Sequence, residues 1–229
     1  MELWALDAIF YLCLVTVAIP MALLLFNWRR LSDEYRWLAC ILLFSFTCDI
    51  VAEVLYRFRM QAINVSGTIW AIGDPILFCW FFYNLIKWKN LRPVFTVVSI
   101  GHLIFGLFNL IFIQKFDINS YSNILGKLII MVFSIVYYYK LLKEMPSEKI
   151  YRNGLFLIVS AFFFAASAKL VIFSFVEHLI TIYKDNLISL WGIHHIITLI
   201  GNLVIIYAVT IMLQQLHRAD RSLVRGDSQ

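Results

Sequence analysis

The hydrophobic positions of this chain fall into seven long runs separated by short polar segments. The runs cover residues 7–27, 36–56, 66–87, 92–115, 121–142, 154–181 and 187–213. A helix needs about 20 apolar residues to cross a hydrocarbon core of about 30 Å, so every run is long enough to span a bilayer. The runs are continuously apolar rather than alternating, which favours helices over the strands of a transmembrane barrel.

The polar segments between the runs are short and leave little chain outside the membrane. We therefore predict an all-α, polytopic membrane protein in which residues 1–213 form a bundle of seven transmembrane helices. Residues 214–229 are predicted to form a short basic cytoplasmic tail. The loops have no room for a soluble catalytic or DNA-binding domain.

Lysine and arginine are distributed unevenly between the two sides of the predicted bundle. Thirteen of the 19 lie in or beside loops 1–2, 3–4 and 5–6 and in the C-terminal segment, whereas four lie in the other loops. Because basic loops stay in the cytoplasm, this bias predicts an N-terminus outside and a C-terminus in the cytoplasm. We expect a multi-pass protein of a bacterial inner (plasma) membrane.

The amino-acid composition reduces the number of function classes that fit this chain. Hydrophobic residues make up 62% of the 229 residues and charged residues 14%, whereas soluble domains average about 45–50% and about 25%. This difference excludes an ordinary soluble enzyme, a disordered protein and a nucleic-acid binder. The net charge of +5 follows from the basic loops, and the four cysteines show no spacing typical of a disulfide framework or a zinc site.

The third and seventh spans begin alike, which indicates an internal repeat. Span 3 opens with Trp-Ala-Ile-Gly-Asp from Trp70, and span 7 opens with Trp-Gly-Ile-His-His from Trp191. The loops that begin at Ser32 and Ser147 also resemble each other. These spacings would match helices 1–3 to helices 5–7 with helix 4 as a connector, a parallel 3+1+3 arrangement of a kind found in transporters. Chance similarity between apolar segments is the alternative.

Polar side chains inside the predicted spans are the candidate functional residues, because charges in hydrocarbon are costly and usually face the bundle interior. The candidates for a ligand pocket are Asp49, Glu53, Asp74, His102, Lys127, Lys169, His194, His195 and Asn202. At a rise of about 1.5 Å per residue, they concentrate in the outer half of the bilayer. We predict an outward-facing polar pocket.

The same residues also fit a simpler interpretation, in which oppositely charged side chains form buried pairs that only fix helix packing. Asp49 is our first choice of partner for Lys169, because both lie near mid-depth, and Asp74 with Lys127 is a second pair. Pro75 lacks a backbone N–H, so it leaves the carbonyl of Ala71 without its helical donor.

Three functions remain open. A ligand sensor that acts through a cytoplasmic or membrane signalling partner is favoured, and a small-solute transporter is the alternative. The third is a zinc-dependent intramembrane hydrolase, since histidines and carboxylates are zinc ligands. However, Ser45-x-x-x-Asp49 stands where such hydrolases have Ser-x-x-x-His. Adjacent His194 and His195 depart from their His-x-x-x-His pair. We therefore expect no metal, no cofactor, no catalytic residues and no nucleic-acid partner.

Several segments also carry a resemblance to known proteins. They are the Arg-rich first loop after Trp28, Thr68-Ile69-Trp70, Phe81-Phe82-Tyr83-Asn84-Leu85, Tyr138-Tyr139-Lys140-Leu141-Leu142-Lys143-Glu144 and Trp191-x-x-His194. Over nearly its full length the chain resembles a family of small seven-helix bacterial membrane proteins that have no assigned activity. The resemblance implies a seven-helix bundle with the lipid bilayer as its partner, and it supplies no catalytic residues.

Overall fold

The computed structural model describes residues 3–58, 63–114, 120–144, 150, 153–182 and 187–225, and every element in these ranges is helical. Seven of the helices are long and apolar enough to cross a membrane. They are α1 (Leu3–Phe26), α2 (Asp33–Arg57), α3 (Ile63–Ile86), α4 (Arg92–Phe108), α5 (Ser120–Glu144), α6 (Gly154–Ile182) and α7 (Leu187–Arg225). The prediction of an all-α chain with seven apolar helices is confirmed, and these helices indicate a multi-pass membrane protein.

Two helices differ from the predicted spans. α4 passes into a π-helical turn at Asn109–Ile113, which completes its crossing. α7 has 39 residues, or about 58 Å at the helical rise. It therefore extends well beyond a hydrocarbon core of about 30 Å. Most of the segment predicted as a tail after residue 213 is helical as far as Arg225, and residues 226–229 lie outside the described part of the chain.

Short connections with identifiable end signals join the helices. Ser32 precedes α2, and Asp33 and Glu34 occupy its first turn, where negative charge is favourable. At the end of α3, Lys87 has a φ of 56°, a left-handed conformation that stops the helix. The Lys87 ammonium contacts the buried carboxylate of Glu34 at 2.5 Å. This ion pair joins the start of α2 to the end of α3.

Six helices form a closed ring in the order α1, α2, α3, α5, α6 and α7, with α7 packed back against α1. α4 lies outside this ring, where it packs against α3 and α5. Consequently α2 and α6 occupy opposite sides of the ring. Long side chains from these two helices approach each other only across the interior.

The interior of the ring differs between its two ends. We define the basic end as the end that carries segments 27–32 and 87–91, with Arg29, Arg30, Lys87 and Lys89. Large apolar side chains fill the ring toward this end, including Leu24, Leu38, Phe81, Phe82, Ile86, Phe133, Ile158 and Val209. Toward the opposite end the buried side chains include Asp74, His102, Lys127, Lys169 and Asn202. The ring is therefore packed with hydrocarbon at one end and polar in its other half.

Candidate functional site

A buried ion pair between α3 and α5 lies at the centre of the polar half. The Lys127 ammonium donates to the Asp74 carboxylate at 2.9 Å. The two side chains are only 6% and 5% exposed, so they are withdrawn from water together. A pair of this kind neutralises both charges and fixes the relative positions of the two helices.

The indole ring of Trp70 lies close to two lysines. The Lys127 ammonium is 4.2 Å from the ring centroid, and the Lys169 ammonium is 5.7 Å from it. The electron-rich face of an indole attracts cations at such distances. Trp70 was not among the candidates from the sequence, although its spacing of four from Asp74 places both residues on one helix face.

Lys169 and Asp49 face each other across the ring without forming a direct pair. Among the described residues, Lys169 has no carboxylate within salt-bridge distance, although the residue is only 9% exposed. Its charge interacts at longer range with Asp49, Asp74 and Lys127. The predicted pairing of Lys169 with Asp49 is therefore wrong. Their helices, α6 and α2, are not neighbours in the ring, so the two side chains remain separated.

These four ionisable side chains (Asp49, Asp74, Lys127 and Lys169) are called the interior charge cluster. Two are acidic and two are basic, and each comes from a different helix of the ring. The structure thus brings together four of the nine candidates that the sequence indicates.

His102 completes the hydrogen bonding of a helix that Pro75 interrupts. Its Nε2 lies 3.1 Å from the carbonyl oxygen of Ala71, and because a carbonyl only accepts, Nε2–H is the donor. Pro75 denies this carbonyl its usual partner, so a side chain from α4 supplies the missing bond. The Nδ1 atom of His102 is buried and has no hydrogen-bond partner within the described residues.

His194 borders the cluster from α7. Its ring packs edge-on against Phe173 at 6.0 Å and lies within electrostatic range of the Lys169 and Lys127 charges. Its Nδ1 atom is also buried without a hydrogen-bond partner in the described part of the chain. An unpaired polar atom in such a position has the capacity to bind a ligand or a water molecule.

His195 and Asn202 lie at the contact between α7 and α1 rather than in the cluster. The backbone oxygen of His195 accepts a hydrogen bond from the Cys13 thiol at 3.1 Å, and its ring packs against Phe10. Asn202 donates to the hydroxyl of Thr16 at 3.2 Å. Both residues help to close the ring.

Glu53 lies further out, near the end of α2. It accepts hydrogen bonds from Tyr11 at 2.6 Å and from Arg57 at 2.7 Å, and the Arg57 guanidinium also contacts the Tyr11 hydroxyl. Because Arg57 is largely exposed, this network forms at the surface and joins α1 to α2.

A second polar network lies where α4 meets α5. The side chain of Asn109 donates to Gln114 at 2.7 Å and to Ser122 at 3.3 Å, and Gln114 donates to Ser120 at 2.7 Å. It coincides with the π-helical turn, a feature that is frequent at functional sites. Sequence reasoning missed the two serines because small polar residues are common between packed membrane helices.

The described residues contain no set of ligands for the zinc ion that the hydrolase hypothesis requires. Within the described residues, no three His, Cys, Asp or Glu side chains converge closely enough to hold one metal ion. A catalytic zinc needs three protein ligands and an open position. The cluster holds two carboxylates and two ammonium groups in a weakly polar surrounding, where electrostatic interactions are strong.

No protein-family model, curated protein or solved structure matches the chain. The resemblance to small seven-helix bacterial membrane proteins therefore stays a prediction, and the site has to be interpreted from its own geometry.

Proposed function

We propose that this chain is a ligand-sensing integral membrane protein of a bacterial inner membrane. Its N-terminus lies outside, and its ligand enters the interior charge cluster from that side. One observation carries the proposal: charged side chains of both signs face the interior in the half of the ring away from the basic end. The apolar core fills the basic end, so we place the entrance of the site at the opposite end.

α7 supplies the physical link to a signalling partner. One continuous helix carries His194 beside the cluster and reaches Arg225 beyond the basic end. A ligand that shifts or rotates α7 at the cluster would move the far end of the same helix. The partner is expected in the cytoplasm or in the membrane beside the basic end.

Access to the cluster from one side can be tested with variants that carry a single cysteine. In these variants Cys13, Cys40, Cys48 and Cys79 are replaced. We expect a charged, membrane-impermeant thiol reagent added to intact cells to label Lys169→Cys. Ile158→Cys, on the same helix in the apolar half, should stay unlabelled because it is fully buried. Labelling is read by a mass-tag shift on a gel. Equal labelling of both variants, or labelling of neither, contradicts an outward-facing site.

The orientation has its own test. A phosphatase reporter fused after Gln229 should be inactive and a fluorescent reporter at the same position should be bright, because the basic loops hold the C-terminus in the cytoplasm. The reverse pattern would place the C-terminus outside and contradict the proposed orientation.

Small-solute transport is the second candidate, and the order of the helices favours it. If α1 changes places with α5, α2 with α6 and α3 with α7, the order of helices around the ring stays the same. Each contact between neighbouring helices then coincides with another such contact. This order supports the parallel 3+1+3 repeat, an arrangement found in transporters. Transport would be established if proteoliposomes that contain the protein take up the ligand and if Lys169→Met abolishes this uptake. Binding without uptake would favour the sensor instead.

A further inference from the structure

We propose that the ligand of the interior charge cluster is a small zwitterion that carries one carboxylate and one ammonium group. Its carboxylate binds the Lys169 ammonium, and its ammonium group binds the Asp49 carboxylate. The inference rests on the proposed function, because it names the class of ligand for the same site.

The direct pair within the cluster determines which charges are left for a ligand. Lys127 and Asp74 satisfy each other at 2.9 Å and are both buried. Lys169 and Asp49 have no such contact, since neither forms a salt bridge or a hydrogen bond within the described residues. The cluster therefore presents one cation and one anion that are held apart.

A ligand with two opposite charges matches these two groups, which form no salt bridge within the described part of the chain. Charges in a weakly polar interior are stable only when they are paired. Lys169 is nine-tenths buried, whereas Asp49 is only half-buried. A solute with a single charge would pair with one of these groups and leave the other without a counter-charge. A zwitterion satisfies both and adds no net charge to the site.

The surroundings of Lys169 fit the same ligand. Trp70 provides an aromatic wall beside the Lys169 ammonium. His194 contributes a buried Nδ1 atom without a partner in the described part of the chain. A ring nitrogen beside the site adds a hydrogen-bonding position for the polar groups of a ligand.

The test uses the full chain in detergent and measures its melting temperature with defined probes. Glycine, β-alanine and γ-aminobutyric acid offer three separations between carboxylate and ammonium, and propionate and propylamine carry one charge each. We expect at least one zwitterion to raise the melting temperature by roughly 3–6 °C at about ten times its dissociation constant. At the same concentrations propionate and propylamine should produce no comparable shift.

Variants assign the effect to the two free charges. Lys169→Met and Asp49→Asn should each weaken binding of the zwitterion about 10- to 100-fold, since each loses a charged hydrogen bond. Ser174→Ala on α6 is the matched control, because within the described residues this exposed hydroxyl bonds to its own helix, at the Leu170 carbonyl. Without ligand, Lys169→Met should melt no lower than the unmodified chain, since it removes a buried charge that has no carboxylate within salt-bridge distance among the described residues. This result also shows that the variant folds.

Each other outcome overturns the inference in a distinct way. A shift with propionate as large as with the zwitterions would indicate a site for anions alone. No shift with any probe, together with labelling of Lys169→Cys from outside, would reject the zwitterion while the outward-facing site stands. Failure of both experiments would reject the proposed function as well.

Discussion

Lys127→Met is expected to lower the free energy of unfolding by about 3–5 kcal/mol, the largest effect expected of a single substitution in the bundle interior. The substitution removes one partner of a buried pair and leaves the Asp74 carboxylate without its counter-charge in a site that is 5% exposed. It also removes the cation that lies 4.2 Å from the ring of Trp70. Thermal or denaturant unfolding in detergent measures the loss.

A double-mutant cycle separates the pair from general damage. Lys127→Met combined with Asp74→Asn should lose less stability than the sum of the two single variants, because the double variant contains no uncompensated charge. Asp33→Asn provides the control, since its pair with Arg36 is exposed and pairs of this kind contribute about 0–1 kcal/mol. Strict additivity of Lys127→Met and Asp74→Asn would contradict the pairing.

The second large effect is expected at Gly126, where the backbone of α5 lies against Pro75 of α3. A Cβ atom at this position would collide with the Cγ atom of Pro75, whose rigid ring cannot rotate away. Gly126→Ala should therefore force the two helices apart and lower the free energy of unfolding by about 1–3 kcal/mol. The displacement would also disturb the neighbouring Lys127 and reduce binding of any ligand in the cluster.

Gly101→Ala is the matched control for this substitution. It introduces the same methyl group on α4, next to His102, but among the described residues the new Cβ would meet no atom within 4 Å beyond its chain neighbours and its own helix backbone. The melting temperature of Gly101→Ala should stay unchanged or rise slightly, because alanine favours a helix more than glycine does. Equal losses for the two variants would show that close approach at Pro75 is not the cause.

The sequence by itself determined the seven long helices. A helix in hydrocarbon satisfies its own backbone hydrogen bonds, so its existence depends only on local length and apolarity. For the same reason the sequence identified Asp74, Lys127 and Lys169 as interior residues, since a charge in a span is too costly to face lipid. It also indicated that Pro75 leaves the Ala71 carbonyl in need of a donor.

Only the tertiary structure decided which residues meet. The depth of a residue in the membrane can be calculated from its position in a span. Judged by depth alone, Asp49 was the expected partner of Lys169. Direct pairing also requires neighbouring helices, and the ring places α3 beside α5 while α2 and α6 lie on opposite sides. Asp74 therefore binds Lys127, and Asp49 and Lys169 remain apart.

The same physical reason explains the positions of Trp70 and His102. Trp70 lies close to two lysines because three different helices converge there. His102 reaches the Ala71 carbonyl because α4 packs on the outside of α3. Helix order and rotation depend on side-chain packing summed over the whole bundle, whereas hydrophobic runs are local. The sequence consequently determined which residues are inside, and packing alone determined which of them form a site.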